Sequence, residues 1–240
     1  MAHVPVLLQE VIEGLNLSPG NIVIDATLGE AGHSVQLAEV IGPTGILVGL
    51  DADSRALTRA AETLRDVPSK LVLLEGNFRD LEDLCREAGI RMVDGILFDL
   101  GVNSGQLDDD DRGFSFKKEA PLLMTLRADH ENSLVTAYDV VNTWGEENLA
   151  DIIYGYGEER FSRRIAAAIV AARTRGPIKT TTDLVTIIEG SVPAWYRKGR
   201  LHPATRTFQA IRIAVNDELG ALTVGLEAVS YTHLTLPTKA

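Results

Sequence analysis

Short apolar runs alternate with amphipathic patterns through the first hundred residues. The apolar runs predict four strands, at Asn21–Asp25, Ile46–Leu50, Lys70–Leu74 and Gly95–Phe98. The segments beside them have apolar positions at helical spacing and predict helices at Val6–Glu13, Ser34–Val40, Ser54–Leu64 and Leu81–Ala88. Strands and helices that alternate at this spacing predict a parallel, doubly wound α/β sheet.

The pattern changes after Asp99, where strand alternation stops. A polar loop, Gly101–Lys118, leads into predicted helices at Asn148–Ile153, Arg160–Arg173, Thr182–Ile188 and Thr205–Val229. This part is predicted to be a helical module entered from the end of the fourth strand. The last residues, Ser230–Ala240, break the amphipathic pattern and are set aside as a non-native tail. Four strands make a small doubly wound sheet, so we expect the last strands to be missing.

Right-handed crossovers place the carboxyl ends of parallel strands on one edge of the sheet. Asp25, Asp51, Phe78 and Asp99 all fall at that edge, and a turn with Gly29 and Gly32 follows the first strand. The sequence therefore predicts a nucleotide-sized crevice there. Glycine turns also occur for conformational reasons alone, so the turn is weak evidence by itself.

Three of these side chains suggest roles. Asp51 could accept both hydroxyls of a ribose, although a carboxylate there could also cap a helix. Phe78 could lie against an adenine ring, although such a phenylalanine is more often core. Asp99 could orient or deprotonate an amine near the reacting atom. Together they favour an enzyme with an adenosyl ligand.

Two adenosyl cofactors compete for the crevice. NAD favours a full G-x-G-x-x-G turn at a helix N-terminus, whereas the spacing here is G-x-x-G. Glu30 lies inside the turn, where its charge would repel a pyrophosphate. S-adenosylmethionine has no phosphate and carries a sulfonium cation, so acidic residues suit it. The turn therefore favours a methyltransferase over a dehydrogenase.

Charge is distributed unevenly in this 240-residue chain of net charge −11. The segment 158–212 has 11 Lys and Arg against 4 Asp and Glu, and the remainder has 12 against 30. A basic segment in an acidic chain indicates a phosphate-binding face, with a solvated helical surface as the alternative. No apolar run approaches a membrane span, the N-terminus does not resemble a signal peptide, and a single cysteine cannot form an internal disulfide, so a cytoplasmic location is expected by default. The single cysteine, Cys85, is predicted to be a packed thiol, and no His/Cys cluster suggests a metal.

Five blocks of the chain closely resemble the bacterial MraW-type (RsmH) family. They are HVPVLLQEVIEGL, DATLGEAGHS, DGILFDLGVNSGQLDDDDRGFSF, YGEERFSRRIAAAIV and HPATRTFQAIRIAVNDEL, from about His3 to about Val229. Enzymes of this family transfer a methyl group from S-adenosylmethionine to N4 of a cytosine in the decoding region of 16S ribosomal RNA. The resemblance implies that reaction, that cofactor and the small ribosomal subunit as partner. It leaves the oligomeric state open, a homodimer included.

The resemblance also implies a domain arrangement. A class I methyltransferase (Rossmann-like) sheet would comprise residues 1–104 and 213–229, without its last strands, and a helical substrate-recognition domain would occupy 105–212. The methyl donor would contact Ala31, Gly32, His33, Asp51, Phe78, Asp99 and Gln106. The family usually has GRGGH where this chain has GEAGH, so Ala31 replaces a glycine. The segment Leu122–Arg127 also departs from the family pattern.

Asp99 is the candidate catalytic residue, because a carboxylate that accepts an N4–H bond would localise the amine lone pair. A purely cofactor-side contact is the alternative. The residues expected to hold the RNA backbone are Arg160, Arg163, Arg164, Arg197, Lys198, Arg200 and Arg206. Arg206 and His202 could instead make structural hydrogen bonds. A non-catalytic RNA-binding relative of the family and a dehydrogenase remain as alternative functions.

Overall fold

The computed structural model describes residues 5–109, 111–127 and 135–231, so His3 and most of the tail Ser230–Ala240 lie outside the described residues. The chain divides into two compact units. Unit 1 takes the chain up to Asn103 together with the segment from Leu219, and unit 2 takes Ser104–Glu218.

Unit 1 is built on a parallel four-stranded sheet, as the sequence predicts. Its strands, in the spatial order β3-β2-β1-β4, are β1 (Ile22–Asp25), β2 (Ile46–Asp51), β3 (Lys70–Glu75) and β4 (Gly95–Leu97). In the register, Ile24 of the central strand β1 is aligned with Val48 and Ile96. All strands are parallel, so their carboxyl ends share one edge, called here the carboxyl edge.

Alternating side chains of the two central strands feed two apolar cores. Val23 and Leu47 belong to one cluster of buried residues, and Ile24 and Val48 belong to the other. Successive side chains of a strand point to opposite faces, so the sheet is buried on both sides, as in other doubly wound folds. Each fully buried aliphatic side chain stabilises the fold by about 1.5–3 kcal/mol relative to exposure.

Five helices and a short 3₁₀ turn complete unit 1. They are α1 (Leu8–Leu15), α2 (Gly32–Ile41), α3 (Ser54–Thr63), the turn Phe78–Asp80, α4 (Leu81–Glu87) and α12 (Glu218–Tyr231). The sequence placed the end of α1 wrongly, because the helix continues through Gly14 and stops at Asn16, which adopts φ 48°. Asp53 caps α3 by accepting a hydrogen bond from the amide of Arg55.

Where the structure describes it, unit 2 is helical apart from one isolated bridge between Pro121 and Thr180. Its helices are α5 (Ser104–Asp108), α6 (Ala137–Thr143), α7 (Glu146–Gly155), α8 (Ser162–Arg173), α9 (Thr181–Ser191), α10 (Ala194–Arg197) and α11 (Thr205–Asn216). Capping boxes begin α6 and α9, where Thr136 pairs with Asp139 and Thr180 with Asp183.

Two polar side chains, the buried Arg112 and the half-buried Asn216, hold the segment Leu122–Arg127 in unit 2. Arg112 donates hydrogen bonds to the carbonyls of Thr125, Leu126 and Arg127. Asn216 donates to the carbonyl of Met124 and accepts from the amide of Leu126. Backbone carbonyls and an amide therefore fix this segment, which reduces its dependence on its own side chains.

The predicted continuous helix Thr205–Val229 is interrupted. Asp217 adopts φ 46° and separates α11 from α12, and the change of unit falls after Glu218 instead of at the predicted 212/213. Arg212 forms a two-pronged ion pair with Glu218, with N–O distances of 2.8 and 3.0 Å, and both residues belong to unit 2. Among the residues described, no helix is long and apolar enough to span a membrane.

Candidate functional site

Two residues of the turn after β1 adopt left-handed backbone conformations. Gly29 adopts φ 53° and Ala31 adopts φ 64°, ψ 24° just before α2 begins. The turn closes locally, with the Ala31 amide donating to the Leu28 carbonyl at 2.8 Å. Ala31 is fully buried in the first apolar core. This site therefore imposes the positive φ that glycine adopts most easily, on a residue with a Cβ.

Asp51 ties this turn to the end of β2. Its Oδ2 accepts a hydrogen bond from the Gly29 amide and its Oδ1 accepts one from the Asp53 amide, both at 2.8 Å. The alternative role as a helix cap belongs to Asp53 instead. A carboxylate has about four acceptor positions, so Asp51 can hold the turn and accept ribose hydroxyls together.

Asp25 lies buried where β1 ends. It accepts hydrogen bonds from the Ser34 hydroxyl at 2.8 Å and from the Thr27 amide at 3.2 Å. Burial raises the pKa of Asp25 to about 6, an effect that the bonds from Ser34 and Thr27 and the charge of His33 partly oppose and the charge of Asp99 reinforces. This carboxylate therefore titrates near neutral pH at the centre of the carboxyl edge.

His33 and Thr27 locate Asp99 at the same edge. His33 is buried, with Nε2 2.9 Å from the carbonyl oxygen of Val6 and Nδ1 3.6 Å from the Asp99 carboxylate. The Asp99 amide donates to the Thr27 hydroxyl at 2.7 Å. The Asp99 side chain is 53% exposed, so its carboxylate can accept a proton from an incoming amine. Gly32, which starts α2, faces Pro5 so closely that an added Cβ would lie 2.7 Å from it.

Phe78 and Gln106 take up more structural positions. The Phe78 ring lies edge to face with Phe98, with centroids 5.7 Å apart, and packs against the second apolar core. The structure thus gives Phe78 the core contacts that the sequence left as its alternative role. Gln106 belongs to α5 of unit 2 and is buried there.

Most of the predicted RNA-binding cations are exposed on unit 2. Arg160, Arg163 and Arg164 line a cavity of about 340 Å³ at the start of α8. Arg197, Lys198 and Arg200 are exposed on α10 and the turn that follows it. Two residues have internal partners: Arg206 donates to the Glu158 carbonyl, and His202 lies 3.3 Å from Glu189 and stacks on Phe116.

The whole chain fits one protein family. The model of the MraW methylase family matches residues 1–235. The chain belongs to the MraW methylase family. Among curated MraW relatives, a "Ribosomal RNA small subunit methyltransferase H" from Brevibacillus brevis is 50% identical over 91% of this chain and 69% of its own length. Proteins of the same name from Geotalea daltonii and Geobacter sulfurreducens are each 49% identical, over 93% and 95% of this chain and 71% and 72% of their own.

The carboxyl edge of unit 1, with three carboxylates around a left-handed turn, is the candidate site of this member of the MraW methylase family. Sequence reasoning missed the groups that hold this edge together, Thr27 and Ser34. Neither stands out in the sequence, because a threonine or serine near a strand end has many ordinary uses. Among the residues described, no group of three or more His, Cys, Asp or Glu side chains could hold a metal ion.

Proposed function

We propose that this chain transfers a methyl group from S-adenosylmethionine to the N4 amine of a cytosine in the decoding region of 16S ribosomal RNA. Family membership and the name shared by its relatives support a small-subunit ribosomal RNA substrate. The observation that carries the cofactor assignment is the bond from the Gly29 amide to Asp51, which joins the turn to the strand-end carboxylate.

The residues at the carboxyl edge fit this cofactor chemically. Three carboxylates, Asp25, Asp51 and Asp99, surround a turn that contains no Lys or Arg between Asn21 and Gly32. Such a set suits a cation and a ribose diol and disfavours a pyrophosphate. When bound, S-adenosylmethionine supplies an activated methyl group on its sulfonium.

In this proposal the remaining residues bind or position the cofactor. Asp51 accepts the ribose hydroxyls, while Ala31, Gly32 and His33 form the wall of the turn. Phe78 lies at the adenine end. The half-buried position of Phe78 against Phe98 leaves ring surface for such a contact.

Asp99 acts on the amine. Its exposed carboxylate accepts an N4–H bond from the cytosine, which localises the nitrogen lone pair, and takes the proton after transfer. The Thr27 hydroxyl, which accepts a hydrogen bond from the Asp99 amide at 2.7 Å, holds this strand end in place. The target base must be unpaired or leave its stack to reach the edge. Six exposed cations of unit 2 hold the RNA backbone in the cytoplasm: Arg160, Arg163, Arg164, Arg197, Lys198 and Arg200. Arg206 supports the turn at Glu158, whose carbonyl accepts its hydrogen bond.

A tritium methyl-transfer assay on small ribosomal subunits that lack the modification tests the proposal. We expect transfer to cytosine, identified as N4-methylcytidine by mass spectrometry after nuclease digestion. Asp99→Asn should lower kcat by about 10²–10⁴-fold and leave the Kd for S-adenosylmethionine nearly unchanged. Asp66→Asn, an exposed aspartate after α3, is the matched control and should keep full activity.

Other outcomes identify the alternatives. An equal loss of cofactor affinity and rate in Asp99→Asn would make Asp99 a cofactor contact only. RNA binding without any methyl transfer would favour a non-catalytic relative of the family. Thermal stabilisation by NAD, with none by S-adenosylmethionine or S-adenosylhomocysteine, would make the protein a dehydrogenase and contradict the proposal.

A further inference from the structure

Three aromatic side chains of unit 2 form a compact cluster, called here the aromatic platform: Phe161, Trp195 and Tyr196. Phe161 lies before α8, and the other two lie on α10. Their ring centroids are 4.9–6.0 Å apart in edge-to-face geometry. Edge-to-face contacts leave ring faces available to other groups.

Arg160 covers part of the aromatic platform. Its guanidinium carbon lies 4.7 Å from the Trp195 centroid and 5.2 Å from each of the Phe161 and Tyr196 centroids. Cation–π attraction therefore holds this arginine in place on the rings. Its positive charge is therefore held beside the rings, where it also lines the cavity at the start of α8.

The buried carboxylate of Glu159 holds two members of the aromatic platform in place. Glu159 is fully buried and accepts hydrogen bonds from the Phe161 amide at 2.8 Å and from the Tyr196 hydroxyl at 2.5 Å. The Glu159 amide in turn donates to the Ile153 carbonyl of α7. Phe161 and Tyr196 are therefore already ordered, so the binding of a ligand would cost little conformational entropy at these residues.

The aromatic platform borders the basic cavity. Phe161 belongs to both, Arg160 covers the platform and lines the cavity, and the cavity is also lined by Tyr154, Asp151, Arg163 and Arg164. Its volume of about 340 Å³ lies within the usual range for small-ligand sites. Three arginines against one aspartate make its wall net positive. Trp195 is 60% exposed and Tyr154 is 66% exposed, so large aromatic surfaces face solvent beside this charge.

We propose that the aromatic platform and the cavity form a stacking site for an unpaired nucleobase of single-stranded RNA. The base stacks on the exposed surface of Trp195, and Arg163 and Arg164 hold the flanking phosphates. The site rests on the proposed ribosomal RNA substrate and adds a second grip on it, separate from the methyl acceptor. Single-stranded RNA fits because stacking needs an exposed base face, which a paired helix does not offer.

Tryptophan fluorescence measures this stacking directly, because the chain has two tryptophans, Trp144 and Trp195. In the full chain with Trp144→Phe, we expect a ten-nucleotide oligouridylate to quench the remaining emission saturably, and duplex RNA of the same length to quench it far less. The single variant Trp195→Phe, which keeps Trp144 as its emitter, should show no quenching. Trp195→Ala should weaken oligouridylate binding, followed by anisotropy of a labelled strand, about 5-fold or more.

Salt dependence reports the phosphate contacts. Arg163→Ala and Arg164→Ala should each lower the slope of log Kd against log salt by about 0.7. Tyr138→Ala, an exposed aromatic on α6, and Arg175→Ala, an exposed arginine after α8, are matched controls away from the cavity and should leave both affinity and slope unchanged.

The outcomes separate this inference from the proposed function. Unquenched Trp195 at saturating RNA, or unchanged affinity in Trp195→Ala, would overturn the stacking site even if methyl transfer to small subunits is intact. A Trp195→Phe variant that binds nearly as well as the parent chain while Trp195→Ala does not would support stacking over a purely structural role. Failure of the parent chain both to bind RNA and to transfer methyl groups would overturn the proposed function as well.

Discussion

Replacing Ala31 with glycine measures the strain stored in the turn after β1. Ala31 is fully buried and adopts φ 64°. Ala38, in the interior of α2, is equally buried, belongs to the same apolar core and has a helical backbone. The two Ala→Gly substitutions therefore remove the same methyl group from similar surroundings but from opposite backbone conformations.

The strain of the left-handed backbone is the contribution to stability that differs between positions 31 and 38. Each substitution loses about 0.8 kcal/mol of methyl burial and pays roughly 0.4–1 kcal/mol for the greater backbone freedom of glycine. Ala31→Gly also relieves about 1–2 kcal/mol of left-handed strain. We therefore expect Ala31→Gly to leave stability within about 1 kcal/mol of the parent chain, and Ala38→Gly to lose about 2 kcal/mol.

Hydrogen exchange followed by mass spectrometry suits this comparison. Both tryptophans lie in unit 2, so their emission does not report on the sheet. Peptides that cover β1 and β2 give the free energy of opening of unit 1 directly. Urea unfolding followed by far-ultraviolet circular dichroism provides an independent measure.

The difference in stability between Ala31→Gly and Ala38→Gly tests the strain argument. A gap of about 1–2 kcal/mol in favour of Ala31→Gly supports the strain argument. Equal destabilisation of the two variants would refute it, because position 31 would then carry no conformational cost.

Three further substitutions test other parts of the chain. Burial raises the pKa of Asp25 from 3.8 to about 6, so its contribution to stability is complete below pH 3.8 and is lost as pH rises through 6. Asp25→Asn should remove a decline of up to about 3 kcal/mol in the free energy of unfolding between about pH 3 and 7, measured by urea titration. Parallel pH profiles of the variant and the parent chain would contradict this. Burial raises the pKa of Cys85 to about 11, so iodoacetamide at pH 8 should label it only after unfolding, and rapid native labelling would disprove a packed thiol. Thr180→Ala should cost unit 2 about 1 kcal/mol by tryptophan emission, whereas Thr186→Ala, exposed on the same helix, should cost little; equal effects would argue against the cap.

The sheet and its carboxyl edge could be predicted because both follow from local patterns. Buried parallel strands appear as apolar runs, and their observed bounds differ from the predicted ones by a residue at most. Parallel topology then brings Asp25, Asp51 and Asp99 to one edge without further information. Cys85 is buried in the second apolar core, as the amphipathic pattern around it predicts.

Other features depend on contacts between distant residues. The helix break at Asp217 is marked locally only by the polar run Asn216–Glu218, which amphipathic helices also contain, so the helical pattern on either side hid it. The aromatic platform joins Phe161 to Trp195, which are far apart in the chain. The raised pKa of Asp25 requires its actual burial and partners, which its position in the sequence does not reveal.

The position of α12 has a consequence for synthesis. This helix belongs to unit 1, where Gly225 lies so close to Phe78 that an added Cβ would be 3.1 Å from the Phe78 carbonyl oxygen, and Val229 packs against the second apolar core. All of unit 2 is translated between β4 and α12. At about 5–20 residues per second, these roughly 115 residues take on the order of 6–23 seconds to emerge.

During that interval the nascent sheet exposes Phe78, Phe98 and their neighbours without the helix that covers them. Unit 2 can fold on the ribosome before unit 1 is complete, because its own sequence is continuous. The chain therefore returns to its sheet domain only after the whole of unit 2 has been translated.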